Sequence, residues 1–325
     1  MKYCSSQPDV PYFHWQVQLY VDNFKEHNID PKNIHSVFIY QDEPSSQVLK
    51  MKETLGINIH LFKDDRKDRG YAASFKPYGI YRLLKEDPNF NTIDLTLNGF
   101  YGDTDPTRHI MLVHDSDIIL NRPLDEIKLC QSQTVYMSDT CSYCDYRYVI
   151  SKGMEQATAL FDLVGVPESL VKDNLANSGG AQIVMKNTTV NFWYKVYIDS
   201  IKIWRLFEFF QKQKPMEHPI QAWCAEMFST LYNLWLFGHQ TEILEHELSF
   251  MVGTDKLEDA KEKVFFHAAG VTSTKDNDFY KGDYINSDPL NNPFLTFDNI
   301  RADSATKLYT DAILKARDNQ PLNRL

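Results

Sequence analysis

The chain has 325 residues, 43% of them hydrophobic and 24% charged, which is enough for one large or two smaller apolar cores and excludes a disordered or fibrous protein. Its formal net charge of -10 disfavours broad nonspecific binding to polyanions, because Lys and Arg supply most phosphate contacts, although a local basic groove is left open. No run approaches the roughly 18 consecutive apolar residues of a membrane helix: the greasiest region, 191–210, carries Lys195, Asp199, Lys202, Arg205 and Glu208.

The first six residues, Met1-Lys2-Tyr3-Cys4-Ser5-Ser6, have no apolar signal core, so a soluble, cytoplasmic protein is expected. Residues 2–4 read as a short strand and 5–9 as a loop before an amphipathic helix over about 12–27. The apolar run 34–40 and residues 57–62 read as strands, 71–84 as a helix, and 110–113 as a buried strand ending at His114-Asp115-Ser116-Asp117. This alternation predicts a parallel α/β sheet, in which ligands collect beyond the carboxyl ends of the strands.

Beyond it, 135–137 reads as a strand, 154–164 as a helix, Asn177-Ser178-Gly179-Gly180 as a Gly-rich turn and 181–185 as an apolar segment. Two long helical patterns cover about 190–212 and 220–237. An apolar Val264-Phe265-Phe266, an Asn, Asp and Pro-rich stretch and a helix over 303–316 complete a tail that wraps the surface. With no repeat or linker, one continuous domain over 1–325 is expected, with parts at 1–125 and 126–270 and the tail at 271–325. Five cysteines fit a reducing compartment, and the lone CxxC, Cys141 and Cys144, lacks the second ligand pair of a structural zinc site.

The chemistry concentrates in two places. Asp115 and Asp117 follow a hydrophobic strand directly, where two carboxylates are unfavourable without a compensating cation; a hard divalent ion such as Mg²⁺ or Mn²⁺ takes such oxygen ligands together with substrate phosphates. His267 ends the apolar run 264–266 and precedes Ala268-Ala269-Gly270, so a strand would deliver its imidazole to a loop with small residues beside it.

A DxD followed late in the chain by His-x-x-Gly and a lysine resembles glycosyltransferases of the GT-A type, which implies a mixed, mainly parallel Rossmann-like α/β sheet flanked by helices. The resemblance implies that His267 is a third metal ligand beside Asp115 and Asp117, and that Lys281, or Lys275 in its place, contacts a phosphate of a UDP-sugar donor. Tyr12-Phe13-His14-Trp15-Gln16, Ser74-Phe75-Lys76-Pro77, Gly179-Gly180 and Trp223-Cys224-Ala225-Glu226-Met227 are similar, in that order, to segments of plant hydroxyproline O-arabinosyltransferases and of related nucleotide-sugar enzymes that modify phage DNA. The plant enzymes' secretory or membrane anchor has no counterpart in these residues.

Lys76 at a helix start suits an anion, since its charge and the exposed backbone N–H groups act together. Gly179 and Gly180 allow close approach of a sugar, or simply make a turn. Ser5 and Gln16, beside the first helix, join Lys76, Asp115, Gly179, Gly180 and Lys281 as candidate donor-binding residues. Glu226, on a helix that should face packed structure, is the candidate base or sugar-hydroxyl ligand, with Asp139 after the 135–137 strand as runner-up.

On the helix over 191–214, Lys195, Lys202, Arg205 and Lys212 fall within an arc of about 100° that could follow a phosphate backbone. The expected activity is transfer of arabinose or glucose to a hydroxyl. 5-Hydroxymethylcytosine in phage-type DNA is the leading acceptor, a protein or glycan hydroxyl the alternative, and a noncatalytic nucleotide-sugar binder the reading from another class.

Overall fold

The structure, a computed structural model, describes residues 1–87, 90 and 110–319. An alternating run opens it: β1 (Lys2–Pro8), α1 (Pro11–Glu26), β2 (Ile34–Tyr40), α2 (Ser46–Thr54), β3 (Asn58–Lys63) and α3 (Phe75–Glu86). Next come β4 (Ile110–Val113), β5 (Ile118–Leu120), α4 (Glu126–Cys130) and β6 (Val135–Asp139). Four helices follow, α5 (Cys141–Cys144), α6 (Tyr146–Ser151), α7 (Met154–Val164) and α8 (Glu168–Asp173). The remainder holds β7 (Gly179–Lys186), α9 (Val190–Gln213), α10 (Ala225–Leu236), β8 (Thr241–Ile243), β9 (Phe250–Val252), β10 (Phe265–His267) and α11 (Thr306–Asp318).

Seven strands pair in the order β3-β2-β1-β4-β7-β6-β8. β2/β3, β1/β4 and β6/β8 are parallel, whereas β7 runs antiparallel to β4 and β6, so the sheet is mixed and mainly parallel, as the GT-A resemblance implied; the alternation of elements alone predicted a parallel sheet and gave no sign of β7's direction. β4, Ile-Met-Leu-Val, is buried at every residue, the pattern of a strand covered on both faces. A separate three-stranded sheet, β5-β10-β9, is built from strands of three residues each, too short to show a period.

The chain divides into two compact units, each assembled from non-consecutive segments. Met1–Ser6, Asp64–His114 and Glu126–Glu245 form the first; Gln7–Lys63, Asp115–Asp125 and His246–Leu325 form the second. In the first, α9 and α10 pack face to face with Phe207 set edge-on to Phe228, and the Thr189 hydroxyl accepts from Phe192 N to cap α9. In the second, Trp15 and Leu19 of α1, Ile119 of β5, Phe266 of β10 and Tyr309 and Ile313 of α11 share one apolar core. Asn23 of α1 works as an extra backbone unit for β5, donating to Leu120 O at 3.1 Å and accepting from Leu120 N at 2.7 Å.

Several expectations need correction. Ser5 lies within β1, which continues to Pro8, and not in a loop. The helices expected over 71–84 and 220–237 begin with 3₁₀ turns (Ala72–Ser74 and Ala222–Cys224), so α3 starts at Phe75 and α10 at Ala225. Gly179 and Gly180 are not a turn: they open β7, paired with Asp139 and Ser138 across a bulge in β6. A Cβ on Gly179 would stand 2.5 Å from Met137 Cβ and 2.8 Å from Ser138 O, and one on Gly180 would collide with Met227 Cε. The close approach that requires glycine here is between parts of this protein.

Candidate metal centre

The three predicted metal ligands meet in the second unit, and strand register explains how. β10 pairs antiparallel with β5 so that His267 faces Ile118, the residue after Asp117, and Ala268 N extends the ladder by donating to Asp117 O at 2.9 Å. Val264, Phe265 and Phe266 are all buried, so β10 is covered on both faces up to the point where His267 emerges. Gly270, at φ +86°, then turns the chain away in a conformation costly to other residues.

His267 Nε2 lies 3.2 Å from Asp117 Oδ1 and 3.6 Å from Asp115 Oδ2, and one ligand atom from each residue falls within 4.8 Å of the others. Atoms bound side by side to an ion at about 2.1 Å stand about 3 Å apart, so the spacing and the two-oxygen, one-nitrogen donor set fit a divalent ion such as Mn²⁺ or Mg²⁺. The other Asp117 oxygen, Oδ2, is paired with the Lys281 ammonium, which orients the carboxylate with Oδ1 toward His267. Lys281, not Lys275, therefore reaches the acidic pair.

Burial alone would push the Asp117 pKa up, but Lys281 and His267 outweigh it and hold the carboxyl well below its usual range. Burial alone would likewise lower the Lys281 pKa, and Asp117, with help from Tyr12 and Asp115, keeps it raised. Tyr12 shares this field: burial raises its phenol pKa, with Lys281 and Asp117 pulling in opposite directions. Gln16 is buried, donating to Tyr12 O at 2.7 Å and accepting from Ser116 Oγ at 3.3 Å, so its amide braces the residue between the two aspartates.

The remaining candidates lie in the first unit. Lys76, in the first turn of α3, and Glu226, in the first turn of α10, form an ion pair at 2.7 Å. Tyr71 OH accepts from Glu226 N at 3.0 Å and donates to Trp223 O, tying the start of α10 to the turn before α3. Sequence reasoning chose Lys76 and Glu226 separately and missed both their pairing and Tyr71, for a contact between segments some 150 residues apart leaves no local signal. Asp139 accepts from Cys141 N at 2.9 Å, an Asx turn just before α5, and Ser5 is fully buried in β1.

On α9 three of the four residues of the predicted basic face meet carboxylates, and Lys212 has no ion-pair partner among the described residues. Lys195 pairs with Asp199 and donates to Val164 O, Lys202 lies 3.8 Å from the same Asp199, and Arg205 pairs with Asp68. Cys141 and Cys144 are free thiols raised by burial, Cys141 to about 11. Among the described residues, Asp115, Asp117 and His267 are the group of His, Cys, Asp and Glu side chains able to hold a metal ion.

Fold and site together define a mixed α/β protein with a cluster of two carboxylates and an imidazole able to hold a metal ion, beside a lysine. No family model and no curated protein sequence matches the chain. Among solved structures it is similar to the apo bifunctional glycosyltransferase WbbM, with a TM-score of 0.49 and 12% identity over 100% of this chain and 50% of that one. It is similar also to the apo glycosyltransferase GlyE of Streptococcus pneumoniae TIGR4 (0.45, 11%, over 96% of this chain and 60% of that one). A third is the galactosyltransferase LgtC in complex with donor and acceptor sugar analogs (0.40, 11%, over 83% and 87%). The chain thus spans half the length of WbbM, and at TM-scores below 0.5 these overlays do not assign a family.

Proposed function

We propose that the chain is a metal-dependent glycosyltransferase that takes a sugar from a nucleotide-sugar donor. The observation that carries this reading is the convergence of Asp115, Asp117 and His267, with Lys281 fixed on Asp117. The resemblance of the same DxD, His-x-x-Gly and lysine to GT-A enzymes supports it independently of the overlays. A divalent ion held by these three residues would supply charge stabilisation to a departing nucleoside diphosphate. Asp117 would offer Oδ1 to that ion while Lys281 holds Oδ2, Gln16 braces Ser116, and Gly270 supplies the positive φ three residues after His267. Glu226, kept in place by Lys76 and Tyr71, is proposed to bind sugar hydroxyls or to act as base.

The donor is proposed to be a UDP-sugar carrying arabinose or glucose, and the acceptor a hydroxyl. A hydroxymethylcytosine acceptor in DNA would have to draw Lys202 and Arg205 away from Asp199 and Asp68, whereas a protein or glycan hydroxyl needs no such exchange and is the acceptor class we favour. Incubation with a panel of UDP-sugars, with Mn²⁺ or with chelator, tests the reading through UDP release. Metal-dependent release that disappears in Asp117→Asn is expected; donor binding with no release at any metal concentration would leave a noncatalytic binder.

A further inference from the structure

The first unit contains an open cleft of about 850 Å³, within the range of about 300–1,000 Å³ typical of small-molecule sites. The second half of α9, the turn before α3 and the 217–223 segment before α10 line it. Two features set it apart from an ordinary surface depression.

Its aromatic residues are arranged as a platform. Trp204 stacks on Tyr71, ring centroids 5.8 Å apart and planes 15° from parallel, and Trp223 on the facing segment is 61% exposed, although its carbonyl is anchored by Tyr71 OH. Trp223 thus presents a large aromatic surface to water inside the cleft, on a backbone fixed by Tyr71 OH and beside the Trp204 and Tyr71 stack. The polar side chains beside the platform are also uncommitted. Glu208 and Gln211 line the same cleft three residues apart, hence on one face of α9, and neither side chain has a hydrogen-bond or ion-pair partner among the described residues. Lys152, the lysine on the wall, is occupied by His218 O at 2.9 Å and the Tyr148 ring at 4.7 Å.

This combination selects the ligand chemistry. Aromatic faces take up the apolar C–H face of a sugar ring, while a carboxylate and a carboxamide at helical spacing can accept from and donate to neighbouring hydroxyls. Glu208 is the uncommitted charge on the wall and it is negative, while Glu217 lies 3.9 Å from His218, and this balance disfavours phosphates and polyanions. We propose that this cleft is a binding site for a neutral saccharide, with Trp223 and Trp204 as the stacking platform and Glu208 and Gln211 as the hydroxyl ligands. The site is defined by the first unit alone and stands whether or not the chain transfers sugar.

The test is calorimetric titration of the full chain, without metal or nucleotide, with maltotetraose, cellotetraose, a galactotetraose and chitotetraose, and with a heparin tetrasaccharide as anionic control. At least one neutral saccharide is expected to bind, and to bind about tenfold or more weakly to Trp223→Ala and to Glu208→Gln, with the heparin fragment unbound. Trp223 is exposed and the Glu208 change conserves volume, so both variants should fold, and their thermal transitions check this. No binding of any neutral saccharide, or binding that both folded variants retain, overturns the proposal. Metal-dependent UDP-sugar binding measured on the same preparation reports on the transferase reading separately, so either can fail alone.

Discussion

The acidic turn at 115–117 and the basic face of α9 are the two charged features that stand out in this chain, and they end differently. Around Asp117 the charges converge: His267 from β10 and Lys281 from the tail come to the same carboxylate and leave Asp115 partly open beside it. On α9 they are partly offset, with Asp199 placed between Lys195 and Lys202 and Asp68 reaching Arg205. A charge pattern becomes a site only when distant chain segments bring it partners that leave a coordination position open. On α9 the partners, Asp199 from the same helix and Asp68 from a distant segment, take up cations without forming a cluster of metal-ligating side chains among the described residues.

The largest expected effect is on the acidic side. Asp117→Asn should lower metal-dependent donor turnover about 100- to 1,000-fold, the scale of losing about 3–4 kcal/mol of transition-state stabilisation, measured as UDP release at saturating metal. Wild-type turnover in a folded mutant would dissolve the contrast with α9. His267→Ala should weaken metal-dependent donor binding by about ten- to a hundredfold and leave the metal-free thermal transition nearly unchanged. A fall in stability equal in both conditions would make the histidine structural.

Smaller effects are expected on the basic side, and they act on stability. Asp199 is buried and bridges Lys195, Lys202 and Asn233, so Asp199→Asn should destabilise the fold by about 1–3 kcal/mol in denaturant titrations with donor turnover unchanged. Lys202→Gln with Arg205→Gln, whose side chains are 55% and 65% exposed, should change stability by less than about 0.5 kcal/mol and leave the salt dependence of any DNA binding as it was. A reduced salt slope would restore α9 as a nucleic-acid face.

What the sequence disclosed follows the reach of each signal. β2, β4 and α7 have the bounds that their apolar runs predicted, because each is delimited by local residues such as Gly153 and Gly165 around α7. The DxD was readable from its place after a buried strand, and His267 from the run before it. Their meeting depends on the β5/β10 register, and β5 is three residues long. Gly179 and Gly180 were misread because a glycine pair demanded by strand packing looks like one demanded by a turn. The Lys76–Glu226 pair and the Trp204, Tyr71 and Trp223 platform are products of tertiary packing, with no periodicity to announce them.

The most direct test of the metal-site assignment is calorimetric titration of a UDP-sugar into the parent and into His267→Ala, each with Mn²⁺ and with chelator. Donor affinity in the parent should rise at least tenfold on adding Mn²⁺, and this gain should vanish in the variant while its chelator-state affinity matches the parent's. A variant that keeps the parent's full metal-dependent gain would show that His267 is not a ligand and contradict the reading of Asp115, Asp117 and His267 as one centre.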